Sequence, residues 1–332
     1  METDFPVTPM KPETQILREF VTGMGAAYAR GENAMAYAQS VAGASRNSTV
    51  ATLVAYELQA GAYVAAVRQN PAYAVRWCAQ LAGILRGYIT PGGSLLEVGC
   101  GEATTLAGVL RLLPATRGAD YGSDLSWSRC AVGQQWLDSE GAAARLFVGD
   151  LFEIPLADES IDVVYTSHSL EPNGGRELAA LQELLRVART AVVLIEPVYE
   201  LADEIAQTRM REHGDVRNLK ATAERLGMCV VDYRLLDHCD NRLNPSGVIA
   251  IRKPPVTGSG DVPNSLPPRQ LWRCPLTGTA LEDLGDTCYS AAAGIAYPGL
   301  RGIPLLRPEH AVMASHLGTL PVETPVPTGE RA

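Results

Sequence analysis

The chain has 332 residues, 46% hydrophobic and 20% charged, with a formal net charge of −9, which is enough to bury an ample core in one large or two modest domains. It is too acidic, and has no long Lys/Arg run, for a nucleic-acid-binding face. No apolar run reaches the roughly 18 residues of a membrane span, the start Met1-Glu-Thr-Asp-Phe5 lacks a signal peptide's basic residues, and seven scattered cysteines read as reduced thiols, so the cytoplasm is the default location.

Residues 1–14 carry Pro6, Pro9 and Pro12, each of which denies a helix, and read as a flexible lead-in. From 15 to 90 the chain is rich in alanine and nearly free of strand signals, so several helices are expected. Leu53, Tyr56, Gln59 or Ala60, and Tyr63 fall at the spacing of one helix face. Two readings of this polar stripe stand side by side. Either the rings pack against a neighbouring domain with their hydroxyls in water, or the segment is a lid over a ligand site, with tyrosine faces near a cation. Tyr28, Tyr37 and Asn47 are further polar candidates there.

Residues 94–106 run as a short apolar strand, a Gly99-Cys-Gly101 turn and a helix start. The glycines allow backbone conformations that a side chain would forbid and leave room for a ligand against the main chain. A dinucleotide loop would carry a third glycine and cradle a pyrophosphate. Here Thr104 stands at that position and Glu97 would repel a phosphate, so a ligand with a cationic amino-acid tail suits the turn better. A second strand ends in Asp124, followed by Leu125 and a helix start at Ser126 or Ser128; a third ends in Asp150, followed by Leu151. A carboxylate about 20 residues beyond the glycine turn can accept from both hydroxyls of a ribose. Equally, Asp124 can cap the next helix and Asp150 can close a turn.

A glycine turn with an acidic residue after each of the next two strands resembles the class I S-adenosyl-L-methionine (SAM) dependent methyltransferases. The resemblance implies SAM as cofactor, held by Glu97, Gly99, Gly101, Asp124, Leu125, Asp150, Leu151 and Ser167, with Asp150 beside the adenine amino group. It also implies an N-terminal helical addition, here 15–90, that selects the substrate. From 91 to 253, strands near 94–98, 118–123, 144–148, 161–167, 191–196, 229–237 and 247–252 alternate with helices near 103–113, 127–140, 175–189, 199–212 and 218–227. That alternation predicts an α/β fold, a seven-stranded, mostly parallel, doubly wound sheet; the resemblance implies that its last strand is antiparallel and that the ligand lies across the strands' carboxyl ends.

The loop after the fourth strand puts Ser167, His168, Glu171 and Asn173 over the expected methyl group. His168 or Glu171 can act as general base, and Glu171 can bind an ammonium. The plainer alternative has His168 bonded to backbone and Glu171 and Asn173 capping the next helix. With Tyr56 and Gln59 from the lid, these form the catalytic set. The loop departs from the Asp/Asn-Pro-Pro-Tyr motif of DNA and protein amide methyltransferases, which argues against nucleic-acid or glutamine substrates. Glu196 and Tyr199, after the fifth strand, rank second, and 209–213 read as a solvated helix face.

Residues 254–268 form a Pro/Gly/Ser linker and 318–332 a Pro/Thr-rich, disordered tail. Between them, 269–317 is similar to the Trm112-type zinc ribbon, through Cys274-Pro275, Cys288, Tyr297-Pro298 and Gly302-Ile-Pro304. Thr277 stands in a ligand position and two cysteines cannot complete a tetrahedral site, so a metal-free unit packed through Trp272, Tyr297 and Ile303 is expected. The leading function is methyl transfer to a small molecule, with no nucleic-acid or membrane partner and a homodimer left open. One competitor is an enzyme that cyclises SAM itself and releases methylthioadenosine, as azetidine-2-carboxylate-forming enzymes do. Another is a non-catalytic SAM-binding partner protein, which the Trm112-like unit allows.

Overall fold

A computed structural model describes residues 22–32, 49–114, 118–239, 241–254 and 271–319. Tyr37, Asn47, the lead-in, most of the linker and nearly all of the tail lie outside them. Helices α1 (Thr49–Leu58), α2 (Ala62–Gln69) and α3 (Pro71–Leu85) precede the sheet. The expected single stripe from Leu53 to Tyr63 is corrected here. Gly61 takes φ 100°, a left-handed conformation that ends one helix and starts the next.

The seven strands are β1 (Leu95–Val98), β2 (Asp120–Asp124), β3 (Arg145–Val148), β4 (Ile161–Ser167), β5 (Ala188–Pro197), β6 (Cys229–Leu235) and β7 (Ser246–Arg252). They assemble in the order β3-β2-β1-β4-β5-β7-β6. β7 runs antiparallel to both of its neighbours, while the other pairs are parallel. Strands β1 and β4 are buried almost throughout because helices cover both faces. The intervening helices are α4 (Thr104–Leu112), α5 (Trp127–Glu140), α6 (Glu177–Val187), α7 (Glu204–His213) and α8 (Leu219–Arg225). Strand order reverses between β1 and β4, and this opens a crevice at their carboxyl ends. No helix among the described residues is long and apolar enough to cross a membrane.

The C-terminal unit is stitched to the edge strand β3. Leu305 bridges Val148 in parallel, Leu306 N–H donates to Val148 C=O at 2.8 Å, and Arg273 N–H donates to Pro155 C=O at 3.0 Å. A sheet edge that would otherwise present unpaired backbone is thereby covered. Trp272, 1% exposed, packs edge-on against Phe147 and Tyr121 at 5.1 and 6.3 Å, with Arg145 over its ring. Cys274 and Cys288 are buried, the Cys274 sulfur lies 3.4 Å from the Tyr297 hydroxyl, and no group of three metal-ligating side chains occurs among the described residues. Because Trp272 belongs to the same core as the sheet, Trp272→Ala is expected to destabilise the whole protein by about 3–5 kcal/mol in denaturant unfolding. A loss under about 1 kcal/mol, the ordinary cost of a surface change, would mean that unit and sheet do not share a core.

Candidate functional site

The glycine turn is shaped by three constraints. Gly99 and Cys100 both donate N–H to Ser123 C=O, at 2.7 and 2.8 Å, which ties the turn to β2. Gly99 sits at φ 74°, and a Cβ there would meet the Ser169 Cβ at 2.2 Å. Ser169 in turn donates its hydroxyl to Val98 C=O at 2.7 Å, so the loop after β4 is clamped onto the glycine.

Asp124 faces the crevice and organises it. One of its oxygens accepts from Gly101 N–H at 3.0 Å and the other from Ser126 N–H at 2.9 Å. The cap of α5 is Ser126, whose hydroxyl accepts from Arg129 N–H, so Asp124 is not needed as one. Asp150 does close a turn, accepting from Phe152 N–H at 2.9 Å, and it also lines the cavity. Glu97 lies beneath the turn, 1% exposed, and accepts from the Tyr165 hydroxyl at 2.7 Å. Burial pushes its carboxyl up to about 8, against the Tyr165 hydrogen bond and with the Asp124 charge. It is therefore largely neutral at pH 7 and gains from a cation placed beside it.

A cavity of about 770 Å³ spans Glu97, Gly99, Gly101, Asp124, Leu125, Asp150, Leu151, Ser167, His168 and Asn173, and extends to Tyr73, Trp77, Asn244 and Ser246. Its size falls within the range of small-molecule sites. Two carboxylates join the helical segment to the sheet domain. Glu102, fully buried, accepts from the N–H groups of Gly61, Tyr63 and Val64 at the start of α2. Glu57 reaches the other way, accepting from Ser126 Oγ at 2.6 Å and Ser128 N–H at 3.2 Å at the start of α5. Each places negative charge at a helix N-terminus. The Tyr56 ring lines the cavity, but the Arg129 guanidinium covers its face at 3.9 Å; Gln59 turns to the same guanidinium, with Oε1 3.4 Å from Nη2.

At the end of β4, His168 takes φ 57°, a conformation uncommon outside glycine. Its Nδ1 lies 2.9 Å from Glu171 Oε2 and its Nε2 lies 2.7 Å from Ser246 Oγ. Asn244 Nδ2 donates to the second Glu171 oxygen at 2.6 Å. Glu196 accepts from the N–H groups of Ser169, Leu170 and Glu171, holding the loop from behind. Desolvation raises the Glu171 carboxyl, but the His168 hydrogen bond and charge outweigh it and the net shift is downward. An ionised Glu171 fixes the proton of neutral His168 on Nδ1 and leaves Nε2 as an acceptor. Asn173 and Glu171 do not cap α6: the Asn173 amide donates to Ser169 and Leu170 carbonyls, and Glu171 serves His168. Tyr199 accepts from Arg211 at 2.7 Å and is not among the residues lining the cavity.

Arg129, Glu102, Trp77, Asn244 and Ser246 join the site without having been singled out by sequence. The only signal for Glu102 was its place directly after the glycine turn; Asn244-Pro-Ser246 read as a turn before a strand.

Residues 95–191 match a family model described as a methyltransferase domain. No curated protein matches the chain closely. Among solved structures, the chain resembles a SAM-dependent methyltransferase from Aquifex aeolicus at 16% identity, covering 51% of this chain and 87% of that one, with a TM-score of 0.41. It also resembles magnesium protoporphyrin IX methyltransferase from Synechocystis at 14% identity, covering 73% and 100%, with a TM-score of 0.40. A chain from a complex of the Haloferax volcanii Trm112 methyltransferase activator with a methyltransferase is 13% identical, covering 60% and 97%, with a TM-score of 0.47. Residues 95–191 are thus similar to a methyltransferase domain, and the cofactor is SAM. The donor set fits: the acidic side chains of Glu97, Asp124 and Asp150 line a cavity large enough for a nucleoside and an amino-acid tail.

Proposed function

We propose that the protein transfers the SAM methyl group to a hydroxyl or amine of a small molecule. Glu97 and the Gly99–Gly101 turn would hold the amino-acid tail, Asp124 and Leu125 the ribose, and Asp150 and Leu151 the adenine, with Ser167 closing the strand side. SAM supplies a methyl carbon already activated by a sulfonium, so the protein's share is to position a nucleophile, take its proton and exclude water. The observation that carries the reading is the Glu171–His168–Ser246 chain at the cavity end of β4. Neutral His168 accepts a proton at Nε2, directly or through Ser246 Oγ, and Glu171 stabilises the imidazolium that results. The cavity's extension to Tyr73, Trp77 and Asn244 supports a second substrate. That space favours transfer over cyclisation, which needs none. The unit at 271–319 we read as a Trm112-type module carried on the same chain and lacking metal.

Purified protein, SAM and an ultrafiltered small-molecule extract are the test. S-adenosylhomocysteine that forms only when extract is present is the expected product. Methylthioadenosine from SAM alone would replace this reading by cyclisation, and no turnover in either mixture would leave a SAM-binding partner protein.

A further inference from the structure

Arg129 stands in the first turn of α5 and is 4% exposed. A buried guanidinium is costly unless a charge or a full set of acceptors meets it. Its side-chain hydrogen-bond partners are few and neutral, and the Asp124 carboxylate, whose charge it feels, is already held by the Gly101 and Ser126 N–H groups. Nε donates to Tyr56 C=O and Nη2 to Gln59 Oε1, both at a long 3.4 Å. The rings of Tyr56 and Tyr63 lie 3.9 and 4.9 Å from its central carbon. Among the described residues no carboxylate forms an ion pair with it, and Nη1 has no acceptor. A Cβ built on Gly101 would lie 3.8 Å from that same Nη1, so the unpartnered end of the guanidinium borders the glycine turn and the cavity.

The cavity wall carries only two cations among the described residues, Arg129 and Arg176. Arg176 lies over the Phe152 ring at 3.3 Å. Glu97, which gains from a cation placed beside it, and Arg129, itself a cation, line the same cavity as the Gly99–Gly101 turn. An amino-acid tail carries a matching pair, an ammonium and a carboxylate. We infer that Arg129 is the anchor for the α-carboxylate of the SAM tail, held ready by the stacked faces of Tyr56 and Tyr63. The planar fork of a guanidinium suits a carboxylate, and aromatic faces can hold it without competing for its N–H groups. The lid tyrosines thus act on the tail through Arg129 rather than on the sulfonium. The inference rests on the cofactor assignment.

Calorimetry with SAM, decarboxylated SAM and methylthioadenosine, which lacks the whole tail, separates the possibilities. Wild-type protein is expected to bind SAM about tenfold or more tightly than decarboxylated SAM, the scale of a charge-assisted pair. Arg129→Met should bind the two alike while holding methylthioadenosine as wild type does. Equal affinity of wild type for SAM and decarboxylated SAM, or a wild-type ratio retained in Arg129→Met, overturns the inference. If Arg129→Met fails to fold, Arg129→Lys, which keeps charge but not the fork, decides: its ratio should fall, and an unchanged ratio counts against Arg129. Wild type that binds none of the three nucleosides would sink the cofactor assignment instead, a distinct result.

Discussion

Gly99→Ala is expected to weaken SAM binding by on the order of 10²-fold, the scale of about 2.7 kcal/mol. A left-handed conformation costs an ordinary residue about 1–2 kcal/mol, and φ at this position is 74°. The new Cβ would lie 2.2 Å from the Ser169 Cβ, which real contacts do not allow. Ser169 cannot swing aside cheaply, because its hydroxyl holds Val98 C=O and its N–H is held by Glu196. Either the turn or the β4 loop must shift, and overpacking of this kind costs about 1–3 kcal/mol more. Both segments line the cavity, so the displacement reaches the ligand as well as the fold. Gly141→Ala is the control: that glycine ends α5 at φ 65° with nothing near its absent side chain. It should lower stability and leave SAM affinity alone. Calorimetric titration below the melting temperature checks both, and a Gly99→Ala protein that binds SAM within about threefold of wild type would remove the turn from the site.

The sheet was legible because most of its strands are short apolar runs, the first three of them ending at or beside Gly or Asp, and each of the seven lies within a few residues of its expected place. Buried parallel strands leave that mark whatever surrounds them. What escaped depends on partners far away in the chain. Arg129, in the first turn of a helix with many polar residues, looks like any solvated arginine until α1 and α2 fold over it. Gly61 was hidden because a helix-period stripe continues across it, Tyr56 and Tyr63 still converging on one guanidinium from two separate helices. Ser246 meets His168 across 78 residues of sequence, a separation at which no periodicity speaks. The role of Trp272 was similarly invisible: its own segment suggested a small separate core, while its ring neighbours, Phe147 and Tyr121, belong to the sheet domain.

His168→Ala is expected to lower turnover by about 10²-fold or more, the usual scale for losing a general base, while SAM affinity stays near wild type. The pH profile then shows how Glu171 acts. Desolvation pulls the imidazole down, but the Glu171 hydrogen bond and the charges of Glu196, Glu171 and Asp215 outweigh it, and the net shift is above the ordinary histidine range. The neutral form is the base, so wild-type kcat should rise with pH through a midpoint above about 6.5. Glu171→Gln keeps the side chain's size but removes the anion at 2.9 Å. Desolvation then dominates, the midpoint should move to lower pH, and the plateau should fall because the imidazolium formed in the reaction loses its counter-charge. A truncation that merely loosened the loop would lower kcat at every pH without moving the midpoint. An unmoved midpoint in Glu171→Gln would therefore show that Glu171 does not act through His168. Near wild-type turnover in His168→Ala would mean that the enzyme works by positioning alone, with the proton leaving to water.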